Sequence, residues 1–108
     1  MNEQDWQRRV IDTARTYGWL VHHVRPARKV NGTWVSPIEG DRGFPDLVLA
    51  RGGQLLIPEL KSDRGKLGEG QAAWLDAIGA PARLWRPQDW GDVQAELRAC
   101  VMTPPRRG

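Results

Sequence analysis

Asp46, Glu59 and Lys61 are the residues of this chain whose types and spacing fit a chemical task. Glu59 and Lys61 close the apolar run Leu55-Leu56-Ile57, which reads as an interior strand. Side chains alternate along a strand, so Glu59 and Lys61 share one face and Leu60 takes the other. A carboxylate and an ammonium at the end of a core strand are expensive unless they are paired or bound to something charged. An internal salt bridge or a solvated strand end would meet that cost. Asp46 adds a second carboxylate. It opens the preceding strand, and the Gly52-Gly53 turn folds that strand's start back beside the end of the next. Asp46 lies six residues before Gly52 and Glu59 six after Gly53, so the two carboxylates are expected to meet across the ladder. Close carboxylates repel, and a hard divalent cation with oxygen ligands relieves them. Lys61 beside them could hold and polarise a water, or neutralise charge developing on a phosphate. Cation, water and ammonium together are what phosphodiester hydrolysis requires.

The elements that must position these groups are legible from periodicity. Trp6, Val10, Ala14 and Tyr17 recur at helical spacing from Glu3 to Tyr17, with Gly18 as the terminator. Trp19 to Val24 reads as a short strand. From Arg25 to Gly43 the chain is rich in Pro, Gly and basic residues, and Asn31-Gly32 signals a two-residue hairpin, read here as a mobile flap. Asp46–Arg51 and Gln54–Lys61 are antiparallel strands, a loop from Ser62 to Gly68 leads to a helix over Glu69–Gly79, and Ala82–Trp85 is a short strand. Asp89 caps a last helix to about Cys100. The expected order αβββαβα is an α/β sandwich around a mixed sheet. Pro58 departs from a regular central strand, because proline cannot donate to the ladder. It marks a bulge that aims Glu59, or a strand that ends before Lys61.

With 108 residues the chain fits one domain, taken as 1–102, followed by a disordered tail over 103–108. A net charge of +3 and a pI near 9.6 lean mildly toward a polyanionic partner. The single cysteine, Cys100, excludes an internal disulfide and a thiolate metal cluster. The polar start Met1-Asn2-Glu3-Gln4-Asp5 is not a signal peptide, and no apolar run is long enough to span a membrane. The chain reads as cytoplasmic. Its state, monomer or homodimer, stays open.

Other residues carry weaker signals. His22 and His23 are adjacent on a strand, so they point to opposite faces and cannot chelate one ion together. His23 shares a face with Trp19 and Val21, where strand packing is the ordinary role and a phosphate or water contact the other. Arg25, Arg28, Lys29 and Arg42 gather around the hairpin, and Arg64 and Lys66 sit in the loop after the Glu59 strand. Charge runs are usually solvated faces. Their place beside the expected site favours contact with a sugar-phosphate backbone, with Trp34 available to stack on an exposed base.

Gly43-Phe44-Pro45-Asp46, followed thirteen residues later by Glu59-Leu60-Lys61, resembles the PD-(D/E)xK nuclease superfamily. More narrowly the chain resembles the VRR-NUC family, including small stand-alone members found in phages. That resemblance runs from Glu3-Gln4-Asp5-Trp6-Gln7 through Gly40-Asp41-Arg42 and Gln71-Ala72-Ala73-Trp74-Leu75 to Trp85-Arg86-Pro87. It implies a restriction-endonuclease-like core, with Asp46, Glu59 and the Leu60 carbonyl as ligands of Mg²⁺ or Mn²⁺. It also implies that Lys61 positions the attacking water, that Glu3 reaches in from the first helix, and that Gln71 points to the site from the second. The implied activity is metal-dependent endonucleolytic cleavage of DNA, selective for branched, nicked or four-way-junction structures. The alternative is a non-catalytic nucleic-acid-binding module that keeps the nuclease fold. Loss of Asp46, Glu59 or Lys61 would be expected of such a module, and all three are present.

Overall fold

The computed structural model describes residues 1–23, 28–30, 33–35 and 39–99, with the backbone alone of the two short strands 28–30 and 33–35. Helix α1 (Glu3–Thr16) starts where the Asn2 side chain accepts from the Asp5 N–H at 2.8 Å. It buries Trp6, Val10, Ile11 and Ala14, the positions its periodicity picks out. Strand β1 (Leu20–His23) follows. Strands β2 (Arg28–Val30) and β3 (Thr33–Val35) pair antiparallel as a small separate sheet. Next come β4 (Leu47–Arg51), β5 (Gln54–Leu60), α2 (Glu69–Ile78), β6 (Ala82–Trp85), a 3-10 turn over Pro87–Asp89, and α3 (Trp90–Arg98).

The main sheet has four strands in the order β1-β4-β5-β6. β1 and β5 are each antiparallel to β4, whereas β6 runs parallel to β5 with α2 as the crossover. The chain is thus an α/β protein with a mixed four-stranded sheet flanked by helices. Gly52 and Gly53 turn β4 into β5 with φ of 54° and 82°, the paired positive values that a tight type I′ hairpin demands.

One core joins the α1 and α3 side of the sheet: Trp6, Val10 and Ala14 meet Leu47, Leu49, Leu56 and Leu60, closed by Trp85, Val93 and Leu97. Two bonds to backbone lock it. The Trp6 Nε1–H donates to the Trp85 carbonyl at 3.0 Å, and the Trp19 Nε1–H to the Leu97 carbonyl at 2.8 Å. Arg51 ties the helix ends together, donating to the carbonyls of Tyr17, Leu97 and Ala99 while its guanidinium lies 4.4 Å from the centre of the Trp19 ring. The Trp85 carbonyl also accepts from the Lys61 N–H at 3.1 Å, so α1, β6 and the end of β5 meet at one oxygen.

That shared carbonyl gives a stability prediction. Trp6→Phe keeps a ring in the core but removes one of its two donors, and we expect a loss of about 1–3 kcal/mol. Trp6→Ala adds a cavity, for about 3–5 kcal/mol in all. Urea unfolding followed by circular dichroism measures both, and equal losses for the two variants would contradict this account.

Candidate functional site

The β4–β5 ladder is prevented from closing at the end where the acidic residues stand. Its register runs from Arg51↔Gln54 to Leu49↔Leu56. Arg51 and Gln54 flank the two-residue turn, so they and every second pair beyond them are the positions that exchange hydrogen bonds. Extending the register puts Leu47 opposite Pro58 and Pro45 opposite Leu60. Each of those pairs contains a proline, which has no N–H to give. Pro58 is therefore neither a bulge nor a strand end. β5 continues through it to Leu60, and its missing donor faces β4 while Ile57 and Lys61 on the other side donate to the carbonyls of Pro81 and Trp85.

Asp46 fills the gap. Its Oδ2 accepts the Leu60 N–H at 2.8 Å, a side-chain bond where a ladder bond would be. The Leu60 carbonyl points to the same side and, on the extended register, meets no N–H from Pro45. The expected meeting of Asp46 and Glu59 is realised: their carboxyls interact directly. Glu59 is 2% exposed, and its Oε2 has no hydrogen-bond partner. Burial, then the hydrogen bond to Asp46 and the Asp46 charge, pushes the Glu59 carboxyl up to about 9, against the opposing pull of Lys61 and the Leu60 backbone. Lys61, half-buried, shares the Glu59 face as strand alternation requires.

A buried, unpartnered carboxylate oxygen beside a second carboxylate fits a hard divalent cation, which would let both groups ionise together. Among the described residues no group of three or more His, Cys, Asp or Glu comes together. The protein donors are two carboxylates and a backbone carbonyl. That sparse set suits Mg²⁺, which keeps several waters and binds through one or two carboxylates plus substrate phosphate.

The remaining expected site residues are placed differently. Glu3 is exposed in the first turn of α1 and stands apart from the carboxylate pair. Its helix does approach the site, since Trp6 on the next turn reaches the carbonyl that Lys61 uses. Gln71 accepts the Gly68 N–H at 2.8 Å, so its side-chain oxygen caps α2. His23 pairs with Leu47 and so stands on the Leu47–Leu49–Leu56 face, away from Glu59. It lines a small pocket against α1 with Gln4, Asp5 and Arg8, its Nε2 buried without a partner. Arg42, Arg64 and Lys66 are exposed. Arg25, the Asn31-Gly32 turn, Cys100 and the tail 103–108 lie outside the described residues, as do the side chains of Arg28, Lys29 and Trp34.

The segment leading to Asp46 is held by close backbone contact that spacing could not reveal. Gly43 has φ of 100°, and a Cβ there would stand 2.5 Å from the Gly70 carbonyl carbon. The Trp74 Nε1–H donates to the Asp41 carbonyl at 3.2 Å, and Phe44 meets the Trp74 ring edge-on with centroids 5.0 Å apart. α2 thereby anchors the approach to Asp46. The β4–β5 register was readable in the sequence once the Gly52-Gly53 turn fixed it; the Gly43–Gly70 contact was not. No family model, curated protein or solved structure matches the chain.

The raised Glu59 carboxyl makes metal-free stability depend on pH. Glu59 is neutral when folded up to about pH 9 but ionised when unfolded above about 4.5, so stability falls as pH rises between those values. The limiting slope for one proton is about 1.4 kcal/mol per pH unit. Glu59→Gln is expected to remove that slope and to be the more stable protein above neutral pH in chelator. Denaturant unfolding from pH 5 to 9 reads it, and parallel curves for the two proteins would refute the assignment.

Proposed function

We propose that this chain is a metal-dependent nuclease with a restriction-endonuclease-like core, of the VRR-NUC type, that hydrolyses DNA phosphodiester bonds within the strand. The observation that carries the reading is buried Glu59 paired with half-buried Asp46, with Lys61 on the same face, set where two prolines keep a ladder from closing. A purely structural role leaves it unexplained. A carboxyl buried with one oxygen unpartnered costs stability, and a bound cation would offset that cost.

Asp46, Glu59 and the Leu60 carbonyl would hold Mg²⁺ or Mn²⁺, which supplies Lewis-acid stabilisation of phosphate charge and a more acidic water. Asp46 holds Leu60 through its N–H, which orients that carbonyl as well as its own free oxygen. Burial of Glu59 excludes competing water from the ligand oxygens. Lys61, with its backbone bonded to Trp85, would present an ammonium to the attacking water and to the non-bridging phosphate oxygens. Exposed Arg42, Arg64 and Lys66 would take flanking phosphates. Glu3 and Gln71 would join only if substrate binding draws them in from their present positions. We place the activity in the cytoplasm of a bacterium, or of a host cell if the source is a phage, with structured or branched DNA as partner and a homodimer as one way to engage two strands. Among the described residues no helix is long and apolar enough to cross a membrane.

The test is to incubate the protein with supercoiled, linear, nicked and branched DNA in Mg²⁺, in Mn²⁺ and in chelator. Cutting is expected with metal only, preferentially on the branched or nicked forms. Asp46→Ala and Glu59→Ala should abolish it, and Lys61→Ala should slow it by about 10²-fold or more. Binding without cutting under every metal condition would favour the non-catalytic module instead, and cutting that survives Glu59→Ala would displace the site.

A further inference from the structure

The half-buried guanidinium of Arg86 has no part in the chemistry above, yet it is bonded to the loop that follows Lys61. Its Nη1 donates to two backbone carbonyls, Ser62 at 2.7 Å and Gly65 at 2.7 Å. These are the two ends of one tight turn, closed by the Gly65 N–H to the Ser62 carbonyl at 3.1 Å. A second tie runs the other way, with Asp63 Oδ1 accepting the Gln88 N–H at 2.8 Å. Arg86 is itself braced: its N–H donates to Asp89 Oδ2 at 3.0 Å and its carbonyl accepts the Asp89 N–H at 2.8 Å. The turn in turn lies along the lysine. A Cβ added at Gly65 would stand in ordinary contact with Lys61 Cδ, at 3.5 Å, and 2.9 Å from Ser62 Oγ, so the turn runs directly beside the Lys61 stem.

Resting on the nuclease reading, we infer that Arg86 is a positioning residue: it clamps the Ser62–Gly65 turn against Lys61 and so fixes where the ammonium stands. The physical case is one of pre-paid order. A lysine side chain has four rotatable bonds and a large rotamer entropy, and nothing on Lys61 but its surroundings can restrict it. A turn held at both carbonyls by one charged donor is such a surrounding, because charge-assisted bonds to backbone are stronger than neutral ones. Lysine cannot replace arginine here without loss. A guanidinium nitrogen offers two hydrogens in a fixed fork to the two carbonyls, whereas an ammonium is a point charge on a flexible stem.

The experiment is a double-mutant cycle between Arg86→Ala and Lys61→Ala, run on the nicked or branched DNA that the wild type cuts in Mg²⁺ or Mn²⁺. Arg86→Ala is expected to lower kcat by about 10²-fold, as a misplacement of about 1 Å does. In the Lys61→Ala background the same change should cost less than about threefold, because there is no ammonium left to position. Arg86→Lys should fall between wild type and Arg86→Ala. An equal loss in both backgrounds overturns the inference, since it would mean that Arg86 acts on folding or on DNA independently of Lys61. Two readouts do not need activity. Amide exchange at Gly65 should quicken at least tenfold in Arg86→Ala and Arg86→Lys, and the Lys61 side-chain carbon signals, identified by their loss in Lys61→Ala, should move. If both stay as in wild type, the clamp is absent whatever the protein cuts. If they change but no nucleic acid is cut with either metal, the nuclease reading fails and the contact stands alone.

Discussion

A single hydrogen bond stands where the sheet ought to have continued. The Asp46 carboxylate accepts the Leu60 N–H at 2.8 Å, and Pro45 and Pro58, which have no N–H, cannot complete a regular ladder beside it. With backbone pairing shut off there, the strand end stays available to side chains and to whatever binds them. A carboxylate committed to a backbone N–H is also held in one orientation, which is how Asp46 comes to face Glu59. The charge problem at the site follows from this bond, because it keeps Asp46 beside Glu59, whose carboxyl is shut away from water.

The surrounding structure supports that strand end from three directions. From the core side, Trp6 of α1 and the Lys61 backbone share the Trp85 carbonyl, so helix position and strand position are coupled through one oxygen. From the side of α2, the contact of Gly43 with Gly70 and the bonding of Trp74 to Asp41 hold the approach to Asp46. From the 3-10 turn and the residue before it, the Gln88 N–H and Arg86 secure the loop that leaves Lys61. None of these supports contributes a group to the proposed phosphodiester chemistry. Together they restrict the groups assigned to it, and order established before a substrate binds is order that need not be created in the transition state.

The same arrangement explains the limits of a reading by residue type. Glu3 and Gln71 have suitable functional groups, and the resemblance to the VRR-NUC family assigns them to the site. In the structure Gln71 completes the start of its helix, and Glu3 remains in solvent one turn before Trp6. A glutamine three residues into a helix has a local partner ready to hand, and a glutamate in a first turn is favoured there by the helix dipole alone. Both residues therefore have sufficient local reasons for their positions. His23 is similar, since its strand register sets it against α1 with the core-facing leucines.

Most of the frame was determined by the sequence itself: the amphipathic stripe Trp6-Val10-Ala14, the Gly52-Gly53 turn, and the alternation that puts Glu59 and Lys61 on one face. These are local consequences of helix and strand periods and of backbone freedom at glycine, and the turn also fixed the register that brings Asp46 to Glu59. Tertiary structure alone decided how much water reaches Glu59, that a Trp85 carbonyl would serve both α1 and β5, and that Arg86 would reach the carbonyls of Ser62 and Gly65. Each of those depends on the approach of segments separated by twenty to eighty residues. Periodicity carries no distance information at that range, so packing had to supply it.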